Sequence, residues 1–352
     1  MKRNILFGLI LSIVVLFYVS SSYSNNKGDE VNDLKNYIDS AGKDPFEYVC
    51  DKMKKNDAVV LYQFMFLKHE FDFINSLIFN LKKENIRILA IEYGNFQDQS
   101  KVDKLVTSDN FDEALAKNIM MSFQKYGIWG YQEYMDIFKN VWKVNRNISK
   151  KADKLRIVFL SSDNKSGCVN DILKREVFDL NEKALILLSN NSHISVNFTN
   201  KSIYKIMISS PMLVKDDYNN STFLIKPFAG IIDEAISRNE LNQVAFDLNN
   251  NKIDNIKNKY STNFKDENCI KFQKCIDGIV FLCNYKEYEP LTWIVDFINS
   301  DNLYLAKSYF RGINSELKVE SLEYANDLCS SNNYSLILKT RKLSNLTSVQ
   351  VN

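Results

Sequence analysis

Residues 57–99 carry the clearest pattern in the chain. DAVVLY (Asp57–Tyr62) is an apolar run too brief for a buried helix, and it reads as a strand. HEFDFINSLIFNLKKEN (His69–Asn85) then sets Phe73, Leu77 and Leu81 at helical spacing, with Phe66 and Ile74 beside them. IRILAIEYG (Ile86–Gly94) is a second apolar run, halted by Gly94. Strand, helix and strand in this length predict one crossover unit of a parallel sheet, its two strands side by side. Ligands of such sheets sit outside the carboxyl ends of the strands. Those ends carry Tyr62-Gln63 and Glu92-Tyr93 here.

The alternation continues downstream. KLRIVFLSSD (Lys154–Asp163), EKALILLSNNSH (Glu182–His193), KSIYKIMISSPML (Lys201–Leu213) and NQVAFDL (Asn242–Leu248) repeat the strand pattern. CIDGIVFLCNYKEY (Cys275–Tyr288) adds a turn at Asp277-Gly278 and another strand. Between them lie helical stretches. DPFEYVCDKMKKN (Asp44–Asn56) has Pro45 in its first turn. SKVDKLVTS (Ser100–Ser108) follows the second strand, and NFDEALAKNIMMSFQKY (Asn110–Tyr126) has Asp109 as its cap. After the break at Gly127–Gly130, YQEYMDIFKNVWKVNRN (Tyr131–Asn147) lines up Tyr134, Ile137, Phe138, Val141, Trp142 and Asn145 on one side. Thr292–Phe310 and a segment within Leu317–Ser330 read as late helices. The whole predicts an α/β fold, a central and mostly parallel sheet flanked by helices, in a single large domain with insertions.

The N-terminus is of another kind. Lys2 and Arg3 precede an apolar core from Ile5 to Val19, followed by small polar residues. That is the build of a secretory signal peptide over residues 1–24, cut near Ser24. An uncut anchor is the alternative, but the run is short for a span. No Cys follows it, which argues against a lipid anchor. No other stretch is long and apolar enough to cross a bilayer, so the mature chain is expected to be exported, periplasmic or secreted, without a membrane span. Residues 25–43 are a polar lead, loosely docked or at most a short helix over Glu30–Asp44, and residues 44–352 are the α/β domain.

Charge changes little: 25% of residues are charged and the net charge is +2, which makes no case for a nucleic-acid partner. Export permits disulfides among the six cysteines, and Cys269 and Cys275 are spaced to close a small loop. Cys283, inside a strand-like run, suits a buried free thiol equally well. The spacings match no zinc pattern.

Few residues are left to carry chemistry. His69 and His193 are the two histidines, each following a predicted strand. Glu92 ends an apolar run, so its carboxylate must find donors or its pKa rises. It suits a general base or metal ligand, and equally a structural carboxylate bonded to backbone amides. Tyr131, Glu133 and Tyr134 open a helix, where Glu133 is also explained by the helix dipole. There is no Gly-rich phosphate loop, nucleophile elbow or His-Glu-x-x-His helix, which argues against those chemistries.

Four segments in order, VVLYQFMFLKHEFDFINSLIFNL, IRILAIEYGNFQDQSKVDKLVTSDNFDEALA, GIWGYQEYMDIFKNVWKVN and KALILLSNNSH, resemble the superfamily of haem-uptake ChaN-like proteins, erythromycin esterases and Tiki/TraB proteins. The likeness is nearest to exported bacterial ChaN-like members, and CIDGIVFL and WIVDFIN extend it over most of the mature chain. In that family the first strand ends in Gly-Glu-x-His, the second in a Glu, and a later strand is followed by a His. Glu92 matches the second position, and His193, or else Ser192, the later one. The first motif departs: Tyr62-Gln63-Phe64-Met65 stands in its place, and His69 lies a turn further on. Gln63 cannot act as a carboxylate base, nor Met65 shuttle a proton.

The resemblance therefore implies the scaffold more strongly than the catalysis. It implies an exported ligand-binding protein, a pseudoenzyme with lost or weakened hydrolase activity. Gln63, Tyr62, Tyr93, Tyr131 and Glu133 would line its pocket for a small molecule. One alternative is an active hydrolase, metal-assisted or not, using Glu92, His193 and His69. The other is a haem-binding protein of the ChaN type, with Tyr62 or Tyr93 at the iron. Cofactor and oligomeric state are not legible.

Overall fold

The computed structural model describes residues 28–161, 167–190, 194, 196–209, 212–216, 221–225, 227–248, 275–284, 287–313, 321–328 and 330–331. The signal-peptide segment and His193 lie outside them. A seven-stranded sheet forms the centre, in the order β3 (Arg156–Ser161), β2 (Ile88–Asn95), β4 (Ala184–Ser189), β1 (Ala58–Gln63), β5 (Ile203–Ile208), β9 (Gly278–Phe281), β8 (Val244–Asp247). All neighbours run parallel except β8 and β9. This is the α/β fold that the alternating pattern implies.

One expectation is corrected. β1 and β2 are not neighbours: β4 lies between them and pairs with both, Leu61 opposite Leu187 and Ile91 opposite Leu187. The strands buried on both faces are continuous apolar runs, which name a strand without naming its partner.

The two faces of the sheet are covered by different helices. Val59, Leu61, Leu89 and Ile91 point into a core with α2 (Pro45–Lys55), α3 (Lys68–Leu81), α4 (Gln99–Thr107), α5 (Glu113–Met120) and α6 (Gln132–Arg146). Ala58, Val60, Tyr62 and Ala90 face α1 (28–41), α7 (Gly167–Leu173) and α8 (Ile231–Arg238). Asp44 caps α2 through the amides of Phe46 and Glu47, at 2.9 and 3.0 Å, with Pro45 in the first turn as its fixed φ favours. In α3 the buried stripe is Phe71, Ile74, Leu77, Ile78 and Leu81, while Phe73 sits at its margin.

Several boundaries differ from the sequence pattern. The polar lead is not loose: α1 buries Val31, Leu34 and Ile38, and Lys43 pairs with Ala245 on the edge strand β8. One apolar residue per turn suffices to dock a helix, and the docking covers a sheet edge. Helix α5 is capped three residues later than expected, by Asp112 accepting from Leu115 N at 2.9 Å, and tightens into a 3₁₀ turn over Met121–Tyr126. The run Lys201–Leu213 is split between β5 and β6 (Met212–Asp216), and β6 pairs antiparallel with β7 (Ser221–Ile225) as a separate ladder. Thr292–Asn302 is not helical; helix α9 begins at Leu303 and runs to Ile313, and the last helix covers 322–328. Cys50, Cys275 and Cys283 carry free thiols, and Cys269, the other half of the expected small loop, lies outside the described residues.

Candidate functional site

Strands β2, β4, β1 and β5 run parallel and side by side, so their carboxyl ends form one continuous rim. Gln63 is in register with Ser189, and the Asn190 amide donates to the Gln63 carbonyl at 2.9 Å. The Ser189 amide donates to Glu92 Oε2 at 2.5 Å. Glu92 thus ties the end of β2 to the end of β4, supplying the donor that a buried strand-end carboxylate requires. A bulge aims this segment: the β2–β3 pairing shifts register between Ile91 and Asn95. Gly94 makes that shift possible. Its φ is +107°, and a Cβ there would meet the Phe159 ring at 2.6 Å.

Four buried polar side chains at or next to these strand ends have an atom without a hydrogen bond of good geometry. By strand alternation Gln63 and Tyr93 lie on one face of the sheet and Asn190 and Ser209 on the other. Gln63 is 0% exposed with no such bond at either amide atom; Tyr93, at 1%, has none at its hydroxyl. Asn190, at 2%, leaves its Oδ1 open, and Ser209, at 5%, its Oγ. Such groups are rare inside proteins, and buried water commonly satisfies them. Burial pushes the Tyr93 hydroxyl far above its usual range, and a loose hydrogen bond with the Gln63 amide opposes this. Tyr93 therefore stays neutral. Its ring stands edge-on to Tyr134 at 4.8 Å and to Phe123 at 5.5 Å.

Residues 287–294 form a strap against the β1–α3 turn and the start of α6. Lys68 N donates to Glu289 O at 3.0 Å, Gln132 N to Thr292 O at 2.8 Å, and Ile294 N to Gly130 O at 2.8 Å. Tyr288 packs with Phe64 and Leu67 and stacks on His69, ring centroids 4.8 Å apart. Glu133 latches the strap: its carboxylate accepts from Thr292 N at 3.0 and 2.9 Å and from Thr292 Oγ1 at 2.8 Å. Burial raises the Glu133 pKa, and the Thr292 bonds work against that rise. Tyr131 stands at the start of α6, edge-on to Trp293 at 5.4 Å. The same helix end holds the β1–α3 turn, where the Tyr134 hydroxyl donates to Met65 O at 2.7 Å.

The expected site residues thus fall into three groups. Gln63, Glu92 and Tyr93 share the rim. His69, Tyr131 and Glu133 lie against the strap. Tyr62 turns to the opposite face of the sheet, where its hydroxyl donates to Ile194 O at 2.9 Å. Burial, with the Lys68 charge adding to it, pushes the His69 imidazole down to about 4, so it is neutral at pH 7. Its Nδ1 has no hydrogen-bond partner. Asn190, Ser209 and Glu70 were not singled out by the sequence. Glu70 is fully buried in the first turn of α3 and accepts from Phe64 N at 2.7 Å, closing the turn after β1. An acidic residue beside His69 at a predicted helix start was the available signal. Among the described residues, no three His, Cys, Asp or Glu side chains gather as a metal-binding group, and no helix is long and apolar enough to cross a membrane.

No family model and no curated protein matches the chain. Two solved structures overlay parts of it. One is the type III effector HopBA1, 11% identical, covering 52% of this chain and 93% of that one with a TM-score of 0.33. The other is a structure described as bacterial protein toxins, 14% identical, covering 55% of this chain with a TM-score of 0.34. This chain spans 41% of that second protein's length. These partial overlaps carry nothing about activity or partners.

Proposed function

We propose that this chain is an exported ligand-binding protein on a ChaN- and erythromycin-esterase-like scaffold whose hydrolytic chemistry has been lost or weakened. One observation carries the reading. Gln63, fully buried at the end of the central strand, stands where the resembled motif has Glu. An amide there can hold a ligand through one acceptor and two donors, but it cannot take up a proton. Glu92, the remaining carboxylate of the resembled motif, is tied to β4 by the Ser189 amide. The resemblance supports the scaffold, and Lys2, Arg3 and the apolar run behind them support export.

The test separates binding from turnover. The purified chain is screened against ester and peptide substrates, while small-molecule binding is followed by calorimetry on wild type and Glu92→Gln. Binding without turnover in both proteins is the expected result. Turnover by the wild type that vanishes in Glu92→Gln would show an active hydrolase and overturn the proposal.

A further inference from the structure

Helices α3 and α6 begin without a side-chain cap: Leu67 and Tyr131 hold the cap positions, and neither accepts from the first turn. The 287–294 strap fills both gaps, with Glu289 O accepting from Lys68 N at 3.0 Å and Thr292 O from Gln132 N at 2.8 Å. It meets the two helix starts as a strand would, by single antiparallel bridges at Leu67–Pro290 and Tyr131–Trp293. A segment fastened by so few backbone bonds can open while the sheet stays folded.

One of these fastenings carries a group that can take up a proton. Tyr288 stacks on the half-buried His69 ring at 4.8 Å, with 28° between the planes. The buried Nδ1 has no hydrogen-bond partner. An imidazolium has two N–H donors to satisfy, and the charged groups around this ring are engaged elsewhere. On α3, Lys68 is a second cation beside the ring; it pairs with Asp72 at 2.5 Å and draws on Glu133 and Glu289. Glu70 accepts from Phe64 N at 2.7 Å, and Glu133 on α6 accepts from Thr292. The strap itself brings Glu287, Glu289 and the Tyr288 phenol. Cys283, packed against the Phe64, Leu67 and Tyr288 cluster, carries a thiol that burial pushes up to about 12.

We infer that the 287–294 strap is an acid-released fastening, docked against a neutral His69 and let go from the starts of α3 and α6 when that ring takes up a proton. Burial and the Lys68 charge hold the docked ring at about 4, against 6.5 for a free one. A depressed value means that His69 supports docking above 6.5 and withdraws that support as pH falls toward 4. From pH 7 to pH 5 the opening equilibrium of the strap should rise about twentyfold. Glu133 acts in the opposite sense, because its raised pKa favours the docked state on acidification. Glu133→Gln removes that opposition and keeps an acceptor for Thr292.

The full chain is tested by hydrogen exchange read by mass spectrometry at pH 7 and pH 5, corrected for intrinsic exchange rates. In Glu133→Gln, protection of the 287–294 amides should fall about twentyfold at pH 5 while that of β1 holds, and wild type should show a smaller fall. Adding His69→Phe, which keeps a ring against Tyr288, should reduce the fall to less than about threefold. An equal fall with and without His69 would overturn the inference. So would strap amides that exchange only together with those of β1. His193→Asn leaves His69 as the one histidine, so its imidazole can be titrated by proton NMR without altering the ring. That titration should coincide with the loss of strap protection, and a ring that titrates while the strap stays protected would equally sink the proposal.

Discussion

Gln63→Leu should make the ligand-free protein more stable, against the usual direction of core substitutions. Burying an amide without hydrogen bonds costs about 1–3 kcal/mol by the measure of protein mutations, and Gln63 is fully buried with no hydrogen bond of good geometry at either amide atom. Leucine removes that cost and adds the burial of an apolar side chain, about 1.5–3 kcal/mol at most. Imperfect fit takes back about 1 kcal/mol, because leucine is branched where glutamine is extended. The net is a gain of about 1.5–5 kcal/mol. Urea unfolding followed by circular dichroism reads it as a higher midpoint at unchanged slope. The melting temperature should rise by about 2–4 °C per kcal/mol for a chain of this size. A loss of more than about 1 kcal/mol would refute the reasoning, because it would mean that the amide is paired in the folded protein.

Substitutions at three further residues test the surrounding geometry. Glu133→Ala removes every acceptor from Thr292 N and Oγ1, and should cost about 3–5 kcal/mol with faster hydrogen exchange at Thr292, whereas Glu133→Gln should cost about 1 kcal/mol. Because burial raises the Glu133 carboxyl pKa, its contribution is fully present below the unfolded value and is lost as pH rises through the folded one. The stability gap between wild type and Glu133→Gln should thus narrow from pH 4 to pH 7, and a gap that widens would contradict the assignment. His69, held down at about 4, contributes stability above its unfolded pKa that is lost as pH falls toward the folded one; wild type should lose about 2–3 kcal/mol between pH 7 and pH 4 relative to His69→Phe, which keeps the ring against Tyr288. Parallel pH curves for the two proteins would rule that out. Gly94→Ala, with φ at +107° and the Phe159 ring 2.6 Å from the new Cβ, should cost about 2–4 kcal/mol in urea unfolding and weaken ligand binding by displacing Glu92 and Tyr93; an unaffected midpoint would show that the bulge does not need glycine.

Local pattern was enough to identify the pieces. Short apolar runs named β1, β2, β3 and β4, helical spacing named α3 and α6, and Asp44-Pro45 marked the start of α2, because each signal is contained within a few neighbouring residues. The same runs placed Gln63, Glu92 and Tyr93 at strand ends. Partnership was decided only by tertiary structure. Strands apolar on both faces carry no mark of which strand lies beside them, so β4 could separate β1 from β2 without leaving a trace in either segment. The donor to Glu92 is 97 residues away, on Ser189, and the group that Glu133 holds is 159 residues away, on Thr292. Hydrogen bonding of a buried polar group depends on what the fold brings to it, so whether a side chain such as Gln63 is satisfied or left open is a property of the assembled sheet and not of any segment within it.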